Sequence, residues 1–540
     1  MTQLQNPPPT SSSAEVVYPN TAPPNIIHPP SPASDKRLVL AATCLSLFMT
    51  NFDGTAGDVA LPQIQANLGT NMAGVQWFLN AYHLPVASLL LVNGKLGDAF
   101  GRKRIFSWGL VIFTSASILC GIAPNLALLI VGRALQGIGA SALIPLSLTI
   151  LIATFTDEES RPKAIGIWSA VSAIALVAGP GLGGLLVDQL SWRSIFFVNV
   201  PIGILTFYLT KKGFQEENFS ANKRLDLPGL GLSILVIALL SYSLTYHSSG
   251  PWLSLTRLGL LGSTVLCFGL FLLNQFRSQH PVIPPTLLKN RRFFTLCITQ
   301  TLVFFMSGGL FFILSLFLQH VQGYSAVMTG LSFLPMNGAV IAASFASGWV
   351  AAKRGWRFPI LSGLAIVAVA IISLTDINTG TTYGEIVSKL VLAGFGGGLT
   401  IPTLAATAMN SVSPIQEGIA SALSSISIQL GGILGIALQG AVFSSQLTKN
   451  LEQSLTQLQL SETTKDSILA DALHSLSTVP QNLPISELVL KNSIRTAFVV
   501  GLQSVLWVAA IAIIIGIVLM IVIPQKQPTQ TASTLTTHTP

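Results

Sequence analysis

Long apolar stretches recur along the chain, separated by short polar segments that hold most of its charged residues. The hydrocarbon layer of a membrane is about 30 Å thick, and a helix of about 20 apolar residues crosses it. Fourteen stretches are near that length, which argues against a soluble fold. The pattern predicts an all-α membrane protein with transmembrane helices at residues 38–61, 75–96, 105–122, 126–153, 164–187, 195–210, 227–246, 258–276, 293–318, 327–351, 358–374, 386–409, 419–443 and 497–523.

Composition favours a surface that faces lipid. Half of the 540 residues are apolar and only 9% are charged, whereas soluble domains carry about 25% charged residues. The net charge of +8 could indicate a nucleic-acid partner, but the sequence has no run of five or six basic residues to follow a phosphate backbone. The lipid bilayer is therefore a predicted partner, and nucleic acid is not.

The basic residues fall mainly on one side of the predicted membrane. Loops rich in Lys and Arg stay in the cytoplasm, and twenty of the 28 basic residues lie on the side of the N-terminus when the spans are counted in order. An even number of spans returns the C-terminus to the same side. The sequence predicts a multi-pass protein of the cell membrane with both termini in the cytoplasm.

The sequence carries no pattern typical of a catalytic or metal site. Its cysteines lie in or at the ends of apolar stretches, which is typical of packed side chains rather than of a disulfide framework. It has no metal-spaced His/Cys set, nucleotide-binding loop or nucleophile with an adjacent base. It predicts neither an enzyme nor an ATP-driven pump, and neither a metal nor a cofactor.

A basic hairpin at residues 94–104 joins the second and third predicted spans. It has the spacing G-x-L-x-D-x-x-G-R-[KR]-[KR], with Gly94, Asp98, Gly101 and Arg102 at fixed positions. Positive-inside anchoring alone would require basic residues but not this spacing. The spacing resembles the signature loop of the major facilitator superfamily. That resemblance implies that Asp98 and Arg102 belong to a cytoplasmic charge network that latches the outward-facing state.

Arg133 lies seven residues into the fourth predicted span. An arginine inside the membrane costs at least about 2.5 kcal/mol, so a buried carboxylate, backbone carbonyls or a water-filled cavity must compensate it. The string from Leu129 to Ala140 resembles a second signature of the same superfamily. The resemblance implies that Arg133 lies at the site that handles protons.

Small residues recur in the fifth predicted span, where Gly179, Gly183 and Gly184 accompany Pro180. Small residues at four-residue steps let another helix approach closely, and a proline bends its helix. Generic helix packing would explain this pattern. The arrangement also resembles the motif that marks antiporters within the superfamily, which is the main reason to expect export rather than import.

The first predicted span contains two carboxylates, Asp53 and Asp58. Carboxylates at membrane depth are costly unless they are protonated or hydrated, and a group that alternates between these forms can load and release protons. The surrounding string resembles the first-span motif L-D-x-T-x-V-N-V-A-L-P of the fourteen-span drug:proton antiporter branch, but departs from it at Gly57 and Asp58. Both carboxylates are predicted to couple protons, although Asp58 could equally face an outer vestibule and stay ionised.

The resemblance to that branch covers about residues 38–523. It implies a major-facilitator fold of two six-helix bundles with two extra helices inserted between them. A degenerate second copy of the basic hairpin at residues 348–357 is consistent with an internal repeat. The predicted divisions are a disordered cytoplasmic tail, a bundle, the inserted pair, a second bundle and a second tail, at residues 1–37, 38–212, 213–292, 293–523 and 524–540.

A long outer loop is predicted at residues 444–496. Within it, leucines at helical spacing predict a short amphipathic helix. That helix would either pack on its own protein, which is the favoured interpretation, or bind an outer adaptor protein. The leucines are Leu447, Leu451, Leu455 and Leu458.

Candidate cargo contacts are polar and aromatic residues of spans 2, 4 and 9, because aromatic and apolar walls with a few polar groups suit lipophilic ligands. Helical aromatic residues also commonly face lipid. His83 could relay protons, but a hydrogen-bonded packing role is favoured. The candidate cavity residues are Trp77, Asn80, Tyr82, Gln136, Thr299, Gln300 and Phe304.

These features predict a secondary active transporter that exchanges protons for small amphipathic or lipophilic compounds and exports them by alternating access. It would act as a monomer or a weak oligomer. A proton-coupled importer and a membrane sensor that binds without transport are the alternatives. The sequence does not identify the cargo.

Overall fold

In the computed structural model of the chain, the regular secondary structure of the described residues is helical. These are residues 35–157, 159–214, 226–245, 254–278, 289–413, 416–458 and 487–523, together with residues 281, 283, 287, 465, 468 and 469. The α-helices α1 to α16 are Lys36–Leu68, Met72–Phe100, Arg102–Gly121, Leu126–Thr154, Ser160–Gln189, Ser194–Phe197, Asn199–Gly213, Leu227–Thr245, Leu255–Arg277, Arg291–Leu316, Ala326–Ser332, Leu334–Arg354, Arg357–Leu374, Tyr383–Met409, Glu417–Gln457 and Glu487–Val522. A π-helical turn, Phe317–Val321, continues α10.

Twelve of the described helical segments are long and apolar enough to cross a membrane. Helix α2 bends by 51° between Met72–Leu90 and Val92–Phe100, and it supplies a thirteenth span if it is counted as one. The apolar stretch Leu227–Leu240 of α8 is shorter than these segments. The prediction of an all-α membrane protein is therefore confirmed, whereas the count of fourteen spans stays a prediction. The predicted tails lie outside the described residues, except that α1 already begins at Lys36.

The helices pack in two groups. Helix α1 packs on α5, and α2 and α3 pack on α4, so that α1 to α7 form a first half. Helix α10 packs on α15, while α12 and α13 pack on α14, so that α10 to α16 form a second half. Helices α8 and α9 pack on each other, and α8 also contacts α2 and α15.

Four glycines with positive φ mark a repeat between the halves. Gly69 (φ 57°) and Gly101 (φ 105°) lie 32 residues apart at the two ends of α2, and Gly323 (φ 74°) and Gly355 (φ 79°) have the same spacing around α11 and α12. Glycine adopts this left-handed region without steric cost. The chain therefore turns at glycines that are separated by the same number of residues in both halves. The second basic hairpin, at residues 348–357, thus has the same turn chemistry as the first.

The predicted outer loop begins later than the sequence suggests. Helix α15 continues without a break from the apolar span to Gln457, because residues 444–457 contain neither glycine nor proline and keep the leucine spacing in register. Leu447, Leu451 and Leu455 are buried in one cluster with Leu490 and Ile494. The leucine face therefore packs on its own chain. An outer adaptor stays a prediction, and residues 459–464 and 470–486 lie outside the described residues.

Candidate functional site

The site is built around an ion pair between Asp53 of α1 and Arg133 of α4. The Nη1 group of Arg133 donates to Oδ2 of Asp53, and both residues are fully buried, at 0–1% exposure. A carboxylate is thus what compensates the buried arginine. Removing one partner of such a pair costs about 3–5 kcal/mol, because the remaining charge is left buried and unpaired.

Two amide side chains complete the coordination of the Asp53 carboxylate. Asn199 Nδ2 donates to Oδ1 of Asp53 at 2.9 Å, and Gln136 Nε2 donates to the same oxygen at 3.1 Å. Gln136 also accepts from Arg133 Nη1 at 2.9 Å and donates to Ser117 Oγ at 2.8 Å. Helices α1, α3, α4 and α7 therefore meet in one polar network around the Asp53 carboxylate.

Aromatic rings cover the other side of the guanidinium group. The Cζ atom of Arg133 lies 4.4 Å from the ring centroid of Tyr82, 4.9 Å from that of Phe78 and 5.8 Å from that of Phe196. A desolvated cation above an aromatic ring gains about 2 kcal/mol or more. The hydroxyl of Tyr82 donates to the carbonyl of Thr50 at 3.1 Å, which fixes the ring over Arg133.

Asp58 lies at the contact between the two halves. It is half-buried, and its backbone carbonyl accepts from Ser315 Oγ of α10 at 2.9 Å. The next carbonyl, that of Val59, accepts from Gln319 Nε2 at 3.2 Å. Among the described residues, the Asp58 side chain makes no hydrogen bond to Asp53 or to the groups that hold Asp53.

The basic hairpin contains a local ion pair at its turn. Asp98 Oδ1 accepts from Arg102 Nε at 3.3 Å and from Nη2 at 3.2 Å, with both side chains partly exposed. Gly101 lies at the turn between α2 and α3. Gly94 is not tightly packed, because a Cβ added there would meet no atom within 4 Å. This bond joins two helices of the first half, and the predicted latch between the halves stays a prediction.

The glycine-rich segment of α5 lies at the contact between the halves. A Cβ at Gly179 would overlap Thr55, and one at Gly183 would lie 2.7 Å from Ala56 Cβ, so α5 packs tightly on α1. On its other side, a Cβ at Gly184 would overlap the carbonyl of Ala326 in the second half. Pro180 lies in the same contact, since its carbonyl is the atom that a Cβ at Gly330 would overlap.

Asp188, near the end of α5, joins the two halves with its carboxylate. Its Oδ1 accepts from the backbone N–H of Ala326 at 3.2 Å, and its Oδ2 accepts from that of Val327 at 3.0 Å. The carboxylate therefore caps the first turn of α11, where unpaired N–H groups favour an anion. Sequence reasoning missed Asp188, because its partners are backbone atoms 138 and 139 residues away.

The predicted cavity residues lie in several different contacts, and a common cavity stays a prediction. Tyr82 and Gln136 belong to the Arg133 network described above. Asn80 is fully buried on α2, and Trp77 packs on Tyr242 of α8 at a centroid distance of 5.7 Å. On α10, Gln300 accepts from Ser424 Oγ of α15 at 2.8 Å.

Two further candidates lie on α10. Thr299 donates to the carbonyl of Thr295 in its own helix at 2.9 Å, and Phe304 packs on Gly431 of α15. Asn199 had no predicted role, and in the sequence it stands out as a polar residue inside the predicted sixth span.

His83 contributes to packing between the halves. Its Nδ1 shares a hydrogen bond of 3.2 Å with Gln429 Oε1 of α15, which is the packing role that the sequence favours. Within the described part of the chain, no group of three or more His, Cys, Asp or Glu residues could hold a metal ion.

Comparison with known proteins identifies the class. The Major Facilitator Superfamily matches residues 43–436. The multidrug resistance protein Stp of Mycobacterium tuberculosis (strain CDC 1551 / Oshkosh) is 34% identical over 418 residues, which cover 77% of this chain and 78% of Stp. The puromycin resistance protein pur8 of Streptomyces alboniger is 34% identical over 413 residues, which cover 75% of this chain and 80% of pur8.

The fold has close counterparts among solved structures. A bacterial homologue of the human lysosomal transporter Spinster, in an inward-facing and occupied conformation, superposes with a TM-score of 0.62 at 16% identity. The match covers 89% of this chain and 95% of that structure. With two packed halves, a buried charge pair and these relatives, the chain belongs to the Major Facilitator Superfamily and is a membrane transporter.

Proposed function

We propose that the chain is a proton-coupled antiporter that exports small amphipathic or lipophilic compounds across the cell membrane, with both termini in the cytoplasm. The observation that carries this proposal is the buried Asp53–Arg133 pair, whose carboxylate also accepts from Gln136 and Asn199. An ionisable pair inside apolar helices is costly and usually marks a coupling site. The resistance proteins among the relatives support export.

Protonation of Asp53 would drive the conformational change. The ionised carboxylate compensates the charge of Arg133, and an added proton removes that compensation. A buried cation without a counter-ion is unfavourable, so protonation favours a state in which Arg133 reaches water or another acceptor. Cargo and proton would compete for the ionised site, so that each displaces the other, and one charge crossing 100 mV supplies about 2.3 kcal/mol.

The contact between α5 and α11 would be the outer gate. In the proposed orientation, Asp188 lies at the outer end of α5, whereas the exposed Arg161 and Lys163 lie at its cytoplasmic end. The tight contacts of Gly184 and the cap from Asp188 would therefore close the outer side. In the opposite state, Asp98 and Arg102 would latch the cytoplasmic side, and Asp58 would lie in the opened outer vestibule.

Transport by purified protein in proteoliposomes tests the proposal. Puromycin, the compound in the name of one relative, is a suitable first cargo, with a panel of lipophilic cations beside it. An imposed pH gradient should drive uptake into inside-out vesicles and release from right-side-out vesicles. Asp53→Asn and Arg133→Ala should both abolish the response to the gradient. Gradient-driven transport at the parental rate in both variants would overturn the proposal, and co-directional movement of protons and cargo would indicate a symporter.

A further inference from the structure

A second candidate binding site lies on the flank of the first half, away from the ion pair. A cavity of about 440 Å³ opens between the start of α3 and the end of α7. Three cations line it, Lys103 and Arg104 from α3 and Lys211 from α7, and no acidic residue is among its described lining. The transport mechanism proposed above uses none of these side chains.

The cationic groups are held in place but keep donors for a ligand. Lys103 Nζ donates to the carbonyl of Phe214 at 2.6 Å, and an ammonium group has three donors, so two remain. Lys211 Nζ lies 5.5 Å from the centroid of the Phe207 ring. Arg104 is exposed at the rim. Three cations around one cavity form an environment that favours a phosphate group, which accepts several charge-assisted hydrogen bonds.

Further along α3, the lining of the cavity is apolar and exposed. Trp108 is 58% exposed and Val111 is 41% exposed, and both line the cavity. Val111 lies eight residues beyond Lys103, about 12 Å deeper along α3. Indole rings are enriched where a protein meets the boundary between headgroups and acyl chains. The cavity therefore changes from cationic to apolar in the direction that leads into the bilayer.

We propose that this cavity binds an anionic phospholipid, whose phosphate lies against Lys103, Arg104 and Lys211 and whose acyl chains lie on Trp108 and Val111. In the proposed orientation the lipid belongs to the cytoplasmic leaflet. A soluble anion would need the three cations but not the exposed apolar wall beside them, which is why a lipid is favoured over free phosphate. The site does not depend on which cargo the protein carries or in which direction.

Native mass spectrometry of the delipidated full-length protein tests this site, with phosphatidylglycerol, phosphatidylcholine and inorganic phosphate as probes. The test variant is Arg104→Gln/Lys211→Gln, which leaves the Lys103 bond to Phe214 intact. The control variant is Lys353→Gln/Arg354→Gln, which removes the same charge from exposed positions of the second basic hairpin. We expect at least about tenfold weaker phosphatidylglycerol binding in the test variant, and less than about twofold in the control.

Four results would overturn the proposal. Equal loss in the test and control variants would indicate general surface charge, and no loss in the test variant would exclude the cavity. Phosphatidylcholine bound as tightly as phosphatidylglycerol would exclude selection by charge. Complete displacement of phosphatidylglycerol by inorganic phosphate would identify a site for free anions rather than for lipid.

Discussion

The cores of the two halves differ in whether they contain charged side chains. In the first half, Asp53 and Arg133 are buried as an ion pair. In the described helices α10 to α16, the buried polar side chains are all neutral, and their contacts are neutral hydrogen bonds such as Ser424 to Gln300 and Gln439 to the carbonyl of Phe305. The glycine turns repeat between the halves, but the charged site does not.

This difference indicates a division of labour on a repeated scaffold. A neutral hydrogen bond contributes about 1 kcal/mol and does not change with a proton gradient. A buried ion pair changes its energy by several kcal/mol when one partner is neutralised. We therefore expect proton coupling to reside in the first half, while the second half serves as the body against which it moves.

The largest expected effect is that of Arg133→Ala. It leaves the Asp53 carboxylate buried without its cation, so the free energy of unfolding should fall by about 3–5 kcal/mol. Denaturation in detergent micelles measures this change. The double variant Asp53→Asn/Arg133→Gln should recover much of the stability but no proton coupling, because a neutral pair needs no counter-ion. Full stability in Arg133→Ala would show that the ion pair does not hold this core.

The second effect concerns the contact between the halves. Gly184→Ala places a methyl group on the backbone of Ala326, and such overpacking costs about 1–3 kcal/mol, so the closed contact should become about tenfold less populated. Gly181→Ala is the matched control, because its Cβ would meet its nearest atom at 3.9 Å. Spin labels at Leu190→Cys and Met328→Cys, both exposed, report the separation of the halves. An unchanged distance distribution in Gly184→Ala would remove this contact from the gate.

A smaller effect is expected at the cap between the halves. Asp188→Ala removes two hydrogen bonds to a charged acceptor, and each such bond contributes about 1.5–3 kcal/mol at most. Because Asp188 is partly exposed, we expect the two bonds together to contribute about 1–2 kcal/mol. The same spin labels should show a larger open population. Asp157→Ala, at an exposed surface pair with Lys36, should leave the distribution as it is. Equal behaviour of the two variants would exclude Asp188 from the gate.

The smallest effect is expected in the neutral core of the second half. Ser424→Ala removes the hydrogen bond to Gln300 and should lower the free energy of unfolding by about 1 kcal/mol. The ratio of protons to cargo should stay at its parental value in proteoliposomes. A loss of coupling as large as that of the Asp53 variant would contradict the division between the halves.

The sequence predicted Asp53 and Arg133 as residues of the charge site, but not how they contact each other. Arg133 required a compensating group, and Asp53 was a candidate, yet their pairing across 80 residues became visible only in the structure. Asn199 and Asp188 were missed because their partners are distant in the chain. Periodicity placed most helices correctly, since hydrophobic length decides a span. It did not predict that α15 continues to Gln457, because the polar residues after the apolar stretch still favour a helix.

Orientation around the helix axis was also beyond the sequence. Trp77 and Thr299 were expected to face a common cavity, which stays a prediction; in the structure Trp77 packs on α8, and Thr299 donates to a carbonyl of its own helix. An aromatic or hydroxyl side chain in an apolar helix can face lipid, another helix or a cavity with the same local sequence. Only the packing of the neighbouring helices selects among these directions.

Proton movement caused by cargo is the most direct measurement of the central claim. Proteoliposomes with a trapped pH indicator and no imposed gradient should change their internal pH when cargo is added outside, because inward cargo drives protons out through Asp53. The parent should show this change in proportion to the cargo taken up, and Asp53→Asn should show no pH change when cargo is added. A pH change of parental size in Asp53→Asn would contradict the account.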